Sequence, residues 1–331
     1  MMKRFVVPVI FLALLIAAPL LVRGFWVRLL THTLMFCVLA SSLNIMAGFT
    51  GYAPFGNMVF FGTGAYTMAV LMNHASMPFT LALVFAGGMS ILVAIVFGTL
   101  FLRLRGQYFA LATTGVAEAV RHVVTNLRMT GGGQGITLPQ LAGGPVFVNT
   151  FFYYLMLALL VVVVAFVWRL SRNRLGYALK AIRADEDAAN VMGINTTRYK
   201  IIAWSCSALF TGITGAVYAY WFSYIDPRSV FDVMWTVKMF VIMLIGGAGT
   251  VFGPIIGAFI IETLSELVWA RFLYLHMGVL GTIIIIVVMF MPRGIISLVT
   301  EGKSLRSLLE NMIKRMIARK EKSHERTGAG R

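Results

Sequence analysis

The polar side chains that could best bind a small solute lie in residues 44–66. Residues 44–66 read NIMAGFTGYAPFGNMVFFGTGAY, in which five glycines and one proline separate polar side chains. Glycine and proline interrupt a helix, and non-helical backbone at membrane depth is tolerated only where it is buried in protein or lines a water-filled cavity. The polar groups there would offer hydrogen bonds to a passing solute. The candidate pathway residues are Asn44, Gly48, Thr50, Gly51, Tyr52, Gly56, Asn57, Phe61, Gly64 and Tyr66, with Tyr108 and Glu118 from a later segment.

The same glycines have a second interpretation. Small residues let two helices approach closely in a membrane, so any single glycine of this stretch is favoured as a packing residue. For the interrupted segment as a whole, a solute pathway is favoured.

Charged residues inside apolar segments are candidate functional residues by default. Glu118 and Arg121 are three residues apart on one helix face, which favours a local ion pair over a contact with solute. Near the ends of predicted spans, long charged side chains reach the polar interface. That interpretation covers Lys238, Glu262 and Glu266, while His32 and His122 are predicted to be packing or interfacial residues.

Catalytic and metal chemistry have little support in the sequence. The two cysteines, Cys37 and Cys206, lie in apolar runs without metal-ligand spacing, and neither HExxH nor GxSxG is present. Residues 302–304 read GKS, the end of a phosphate-binding loop, but Ser297 stands where that loop needs its first glycine. We therefore expect no metal, no cofactor and no nucleotide site in this chain, and no enzymatic activity of its own.

A polar segment interrupts the apolar chain at residues 171–200. Its small apolar residues recur at helical spacing, which predicts two short helices outside the membrane. Gly176 is expected to end the entering turn, Asp185 to cap the second helix and Gly193 to close it in a left-handed conformation. Such helices need a surface to dock on. The alternative is an ordinary basic loop that charge holds on the cytoplasmic side.

Composition places the chain in a membrane. Hydrophobic residues make up 59% of it and charged residues only 12%, and the mean hydropathy is +0.86, far from soluble domains. The net charge of +16 is not a nucleic-acid signal, because the basic residues do not form a folded, solvated face. Two basic residues lie at 3–4, two at 103–105, seven between Arg169 and Lys200 and ten from Arg293 onward. Together they are 21 of the 28 lysines and arginines. All four stretches can face the cytoplasm.

Apolar runs predict an all-α fold, a polytopic bundle of about ten transmembrane helices, with eight to nine as the alternative. Both termini are then cytoplasmic, and the first helix is an uncleaved span. The predicted spans are 5–22, 27–47, 55–71, 79–102, 108–124, 146–168, 201–222, 234–245, 251–268 and 277–290.

One long helix over 234–261 would replace two of these spans. It would bury the sequence GGAGTVFGP of residues 246–254 in a helix interior, where each glycine costs about 1 kcal/mol and a proline about 3 kcal/mol. A turn is therefore predicted there. A transmembrane domain is predicted over 1–302 with its polar loop at 171–200, a basic amphipathic helix is predicted at 303–322, and 323–331 is expected to be disordered.

Five stretches, taken together and in order from about Asn44 to Pro254, resemble the permease subunits of branched-chain amino acid ABC importers of the LivM type. They are the glycine-rich segment 48–66, the GQYFA sequence at 106–110, the TGGGQGI sequence at 130–136, the polar loop, and the turn at 246–254. Tyr52, Pro54 and Asn57 stand where that family commonly has Gln, Ser and His, so the resemblance does not fix the solute.

The resemblance implies roles for two further sets of residues. In that family the polar loop supplies the coupling helices that receive the motion of a separate ATPase subunit. The coupling residues implied are Gly176, Tyr177, Ala178, Leu179, Ala181, Ile182, Arg183, Asp185, Glu186, Ala188, Ala189, Gly193 and Ile194. The implied structural turns are Gly131, Gly132, Gly135, Gly246, Gly247, Gly249, Gly253 and Pro254.

The resemblance also implies partners and a location. They are a second, LivH-like permease, two ATP-binding cassette subunits that hold ATP and Mg²⁺, a periplasmic or extracellular solute-binding protein and the lipid bilayer of a bacterial inner membrane, without nucleic acid. The solute implied is a branched-chain or related amino acid, with urea or a small carboxylate as alternatives. An ion-coupled secondary transporter is a different class, but the few carboxylates inside the spans argue against it.

Overall fold

The chain folds as a bundle of long helices joined mostly by short turns. The computed structural model describes residues 3–22 and 24–271, together with Gly278 and Gly281. Its helices are α1 (Lys3–Leu21), α2 (Phe25–Leu43), α3 (Met58–His74), α4 (Phe79–Phe101), α5 (Gln107–Asn126), α6 (Pro145–Arg172), α7 (Arg174–Ala184), α8 (Glu186–Val191), α9 (Thr196–Phe222), α10 (Pro227–Val230), α11 (Val233–Gly246) and α12 (Gly253–Arg271).

The first nine predicted spans each coincide with a helix. Five helical segments of the described chain are long and apolar enough to cross a membrane: Phe25–Gly48, Phe79–Phe101, Pro145–Arg172, Thr196–Phe222 and Pro227–Gly246. A shorter apolar helix covers Ile10–Leu21. The protein is therefore a polytopic helical bundle, and the count of about ten spans stays a prediction. The span predicted at 277–290 lies outside the described residues apart from Gly278 and Gly281, and so do the segments 303–322 and 323–331.

The 27-residue helix α9 organises the bundle and packs most extensively against α3 and α4. Its contact with α3 is backbone to backbone. A Cβ added at Gly64 would lie 2.0 Å from the carbonyl oxygen of Gly212, and one at Gly215 would lie 2.1 Å from that of Phe61. Glycines thus bring the two helices together, which is the packing interpretation of Gly64.

Two short strands close the end of the bundle that lies beyond the C-terminus of α9. The strand β1 (Ile136–Thr137) pairs antiparallel with β2 (Tyr224–Ile225). Gly131, Gly132 and Gly135, for which the resemblance implies a turn, have φ of 74°, 61° and 80° in the loop before β1. Because α7 and α8 precede α9, they lie at the opposite end of the bundle, about 40 Å away along a helix of this length.

The glycine turn, defined as residues 247–252, separates α11 from α12. Gly247 and Gly249 have φ of 121° and 82°, which L side chains rarely adopt. A Cβ at Gly246 would lie 1.8 Å from the carbonyl oxygen of Gly253, so the two helix ends meet at their backbones. The predicted turn is confirmed, with Pro254 in the first turn of α12, and a single helix over 234–261 is excluded.

Candidate functional site

A helical break, defined as residues 51–57, lies at the centre of the candidate site. The helix α2 widens into a π-helical turn at Asn44–Gly48, and α3 begins only at Met58. Of the nine residues between them, 51–54 have no regular secondary structure, and Gly51 has φ of 77°. The prediction that glycine and proline interrupt the helix here is confirmed.

Asn44 joins this region to the glycine turn. Its side chain donates a hydrogen bond to the carbonyl oxygen of Thr250 at 2.8 Å and accepts one from the amide of Gly249 at 2.7 Å. A Cβ at Gly48 would lie 1.8 Å from the side-chain oxygen of Asn44 and 2.6 Å from the nitrogen of Gly249. Buried Asn44 therefore links the end of α2 to the glycine turn through hydrogen bonds, and Gly48 allows the two backbone segments to approach closely.

Deeper in the bundle, Asn57 belongs to a buried hydrogen-bonded group. Its amide donates to the hydroxyl of Thr211 at 3.2 Å, and Thr211 is 2.9 Å from the hydroxyl of Ser42. The side-chain oxygen of Asn57 has no hydrogen-bond partner among the residues that the structure describes. Thr211 lies on α9, eleven residues beyond Lys200, so the break carries the chain from one end of the bundle toward its middle.

The other pathway candidates of this region mostly pack within the chain. Gly56 lies against α5, where its Cβ would be 1.8 Å from the carbonyl oxygen of Thr113. Thr50 donates to the carbonyl oxygen of Met46 at 2.7 Å. Phe61 packs at a tilt against Trp235, and Tyr66 stacks on Phe231, where the hydroxyl of Tyr66 has no partner among the described residues.

Helix α5 leaves one side uncovered by the described residues, and this side is mostly apolar, with Leu111 71% and Val123 59% exposed. Tyr108 is 74% exposed, and the side chain of Glu118 is 43% exposed. Glu118 and Arg121 form an ion pair at 2.5 Å, which confirms the local pairing. The opposite face of α5 buries Phe109 and Thr113.

The two short helices predicted for the polar loop are α7 and α8. Asp185 caps α8, because its carboxylate accepts hydrogen bonds from the amides of Asp187 and Ala188 at 2.9 and 3.0 Å. Gly193 has φ of 84°, as predicted. The prediction that Gly176 ends the entering turn is wrong, since α7 already begins at Arg174. Gly176 lies in its first turn, where a Cβ would be 2.0 Å from the carbonyl oxygen of Leu170.

These helices have a buried side and an exposed side. Their buried residues are Gly176, Ala178, Leu179, Ile182 and Ala189, whereas Ala181 and Ile194 are half-buried and Ala188 is exposed. On the outer side, Tyr177 is 64%, Val191 87% and Met192 82% exposed. An apolar surface on a polar loop is typical of an interaction site.

Arg183 connects α7 to the end of α2. Its guanidinium donates a hydrogen bond to the carbonyl oxygen of Gly48, and its side chain lies 3.4 Å from the position of a Cβ on Gly51. The same guanidinium lies close to Gly249. One residue of the polar loop thus contacts both the break and the glycine turn.

A second connection centres on Lys200, which is 1% exposed. Its ammonium donates to a carboxylate oxygen of Glu186 at 2.6 Å, to the carbonyl oxygen of Leu102 at 3.0 Å and to the hydroxyl of Tyr52 at 3.2 Å. Tyr52 donates in turn to the other carboxylate oxygen of Glu186. The hydroxyl of Thr196 donates to the same carboxylate oxygen of Glu186 as Lys200 does, at 3.1 Å. We call Lys200, Glu186 and Tyr52 the lysine cluster.

Electrostatics in the lysine cluster favour the charged carboxylate. Burial acts to raise the pKa of Glu186, but hydrogen bonds from Lys200 and Tyr52 and the charge of Lys200 outweigh it, so the pKa lies below its ordinary value. A contrasting pair is fully exposed. The hydrogen bond from Arg105 lowers the pKa of Asp187, and the two side chains lie 2.8 Å apart.

A buried ionic cluster lies elsewhere, among α2, α11 and α12. Glu262, whose side chain is only 4% exposed, is 2.7 Å from the amine of Lys238 and 3.2 Å from a ring nitrogen of His32. The prediction that Lys238 and Glu262 reach an interface near span ends is wrong for Glu262. Its charge is instead compensated inside the bundle.

The structure thus brings part of the predicted site together. The break, α7, α8 and the glycine turn meet at one end of the bundle, whereas Gly64 and Tyr66 lie on α3, which runs toward the other end. Lys200 was missing from the predicted site. Its sequence signals were its place at the end of the polar loop that carries the family resemblance and its position directly before the apolar run 201–222, where an unpaired charge is costly.

The sequence matches one family of known proteins and several individual permeases. Residues 25–288 match the family described as branched-chain amino acid transport system, permease component. The chain is 31% identical to the LivM permease of Salmonella typhimurium over 89% of its own length and 76% of that protein. It is 22% identical to the probable LivM of Methanocaldococcus jannaschii, over 79% of this chain and 90% of that protein. It is also 28% identical to the LivH permease of Escherichia coli, over 38% of this chain and 40% of that protein. No solved structure matches.

Proposed function

Because the chain belongs to the branched-chain amino acid permease family, we propose that it is one of the two membrane-spanning subunits of an ATP-driven importer. In this proposal it crosses a bacterial inner membrane about ten times, with both termini in the cytoplasm. It hydrolyses no ATP itself. ATP and Mg²⁺ bind to two separate ATPase subunits.

The observation that carries the proposal is the arrangement of α7 and α8. Their outer side exposes Tyr177, Val191 and Met192, while Arg183 and Glu186 on the same helices bond to the helix end and break at 48–52. The helices α7 and α8 thus expose an apolar surface to a partner and are hydrogen-bonded to the helical break on their other side. Such an arrangement is suited to transmit the motion of an ATPase subunit to the break.

The uncovered side of α5 supports a second permease subunit. Glu118 and Arg121 are partly exposed beside it, at 43% and 29% of their side chains, and charged residues at membrane depth need protein or water around them. A LivH-like subunit on this face would cover them and enclose a pathway that Tyr108 and Glu118 line. The resemblance to both LivM and LivH proteins supports such a pair.

The solute is proposed from the relatives. Those proteins are described as branched-chain amino acid permeases, so a branched-chain or related amino acid, delivered by a solute-binding protein, is the first candidate. Urea and small carboxylates are the alternatives. Mass spectrometry of the small molecules that the cognate binding protein retains would discriminate among the three.

Reconstitution tests the whole proposal. The chain, its partner permease and both ATPase subunits in proteoliposomes should accumulate labelled leucine only when ATP and the binding protein are present. Arg183→Glu should abolish this uptake while membrane insertion stays normal, and Arg183→Lys, which keeps a donor for the carbonyl of Gly48, should retain most of it. Uptake by the chain alone, driven by a proton or sodium gradient, would favour a secondary transporter instead.

Thiol labelling tests the orientation. Asn190 on α8 is exposed, so Asn190→Cys should react with an impermeant reagent from the cytoplasmic side only. Cys37 is buried and can stay, whereas the partly exposed Cys206 should first be replaced by alanine. Labelling from the periplasmic side of intact cells would invert the topology and end the proposal.

A further inference from the structure

The ammonium of Lys200 uses every donor that it has. An ammonium carries three N–H groups, and three acceptors surround this one: the carboxylate of Glu186, the carbonyl oxygen of Leu102 and the hydroxyl of Tyr52. The amine also lies 4.3 Å from the centre of the Tyr52 ring. The three partners belong to α8, the end of α4 and the helical break, while Lys200 itself belongs to α9.

This set of contacts resists partial opening. A buried charge whose partner moves away is left without compensation, which costs far more than an exposed ion pair does. A displacement of α8 therefore has to carry Lys200 and Tyr52 with Glu186. By contrast, among the described residues the carboxylate of Asp187 on the same short helix bonds to exposed Arg105 alone, a pair that can separate into solvent at little cost.

Tyr52 in turn is placed to move the break. Its ring contacts Phe109 on α5, with ring centres 5.4 Å apart. Gly56, four residues later, lies against the backbone of Thr113 on the same helix. The next residue, Asn57, bonds to Thr211 in the middle of α9. Residues 51–54 form no regular helix, so a shift of Tyr52 is not resisted by a helical hydrogen-bond ladder and reaches the start of α3 within six residues.

We propose that Lys200 is a positioning residue that, with Glu186 and Tyr52, passes the movement of α8 to the helical break and hence to the N-terminus of α3. The inference rests on the proposed function, in which an ATPase subunit moves α8. It adds that the lysine cluster is the mechanical connection, whereas the neighbouring pair of Arg105 and Asp187 is not.

The test measures ATP hydrolysis and leucine uptake in the same proteoliposomes that hold the complete complex. Lys200→Met removes all three donors while keeping the apolar stem. We expect ATP hydrolysis within about twofold of wild type and uptake per ATP at least tenfold lower. Tyr52→Phe keeps the ring and loses the hydroxyl, and should lower uptake per ATP by a smaller factor.

Asp187→Asn is the matched control. It removes a charge from the same helix, one residue from Glu186, and should leave uptake per ATP unchanged. Gel filtration of each complex shows whether the subunits assemble. If Lys200→Met fails to assemble, Tyr52→Phe decides the question, because a single lost hydroxyl leaves the ion pair in place.

Three results would overturn the inference: normal uptake per ATP in both variants, an equal loss in Asp187→Asn, or a parallel loss of hydrolysis and uptake in an assembled complex. The third would make the lysine cluster merely structural. The wild-type complex tests the proposed function separately. Without ATP-dependent uptake by the wild type, the proposed function fails, and the inference fails with it.

Discussion

Replacing Gly64 by alanine should destabilise the bundle through the contact between α3 and α9. The added methyl group would start 2.0 Å from the carbonyl oxygen and 2.6 Å from the carbonyl carbon of Gly212. These are backbone atoms and cannot rotate away, so the helices must separate by roughly 1 Å, a gap that forfeits about a quarter to a half of each dispersion contact. Overpacking of this kind costs about 1–3 kcal/mol, a 5- to 150-fold shift in the folding equilibrium, since 1.4 kcal/mol is about tenfold.

Gly88→Ala provides the control for this measurement. Gly88 is also inside a helix, α4, but a Cβ there meets nothing within 4 Å. Both substitutions gain the same helix propensity of alanine over glycine, about 1 kcal/mol, so their difference isolates the packing cost. Thermal unfolding of the purified proteins in detergent should show a clearly lower midpoint for Gly64→Ala than for Gly88→Ala. Equal midpoints would mean that α3 and α9 do not pack backbone to backbone.

Three further substitutions test other contacts. Asn44→Ala leaves two backbone groups of the glycine turn without partners, at about 1–3 kcal/mol each, and should lower the unfolding midpoint in detergent more than Asn44→Asp, which keeps an acceptor. Glu262→Leu leaves Lys238 without its carboxylate, and should destabilise the protein more than the double variant with Lys238→Leu, as a double-mutant cycle of stability would show. The pKa of Glu186 is lower in the folded protein, so the stability that its charge contributes is complete above its unfolded pKa of about 4.3 and lost as the pH falls through the folded pKa. Glu186→Gln should therefore lose less stability than wild type between pH 6 and pH 3.

An Asn44→Ala protein as stable as wild type would show that the glycine turn finds other partners. Additive effects at Glu262 and Lys238 would show that the two charges do not interact. An acid limb of the stability curve that is the same for Glu186→Gln and wild type would mean that the carboxylate is not bonded in the folded protein.

Local features of the fold could be predicted from the sequence. Apolar runs set the helices, because a membrane span must satisfy its backbone internally. Asp185 and Gly193 were predicted in the correct roles, since a helix cap depends on backbone groups two or three residues away. The glycine turn after α11 was predictable for the same reason, because its glycines are costly inside a helix.

The contacts of the polar side chains could not be predicted in this way. Glu186 lies 14 residues from Lys200 and 134 from Tyr52, and no periodic pattern relates residues so far apart across a break and a loop. His32 and Glu262 are separated by 230 residues. Glu262 was expected at an interface because its position along a span does not reveal which helices surround it. Sequence likewise could not decide whether Gly64 lines a pathway or packs, because that depends on the neighbour opposite, here Gly212.

The depth of α2 inside the bundle has a consequence for how the protein is made. In an 18-residue apolar window of its span, 83% is buried inside the bundle, and the carboxylate that pairs with His32 is synthesised 230 residues later. At a translation rate of about 5–20 residues per second, that interval lasts roughly 10–45 s. During this interval, His32 on α2 does not yet have Glu262 as its partner. The packing around α2 is therefore complete only after α12 has been synthesised.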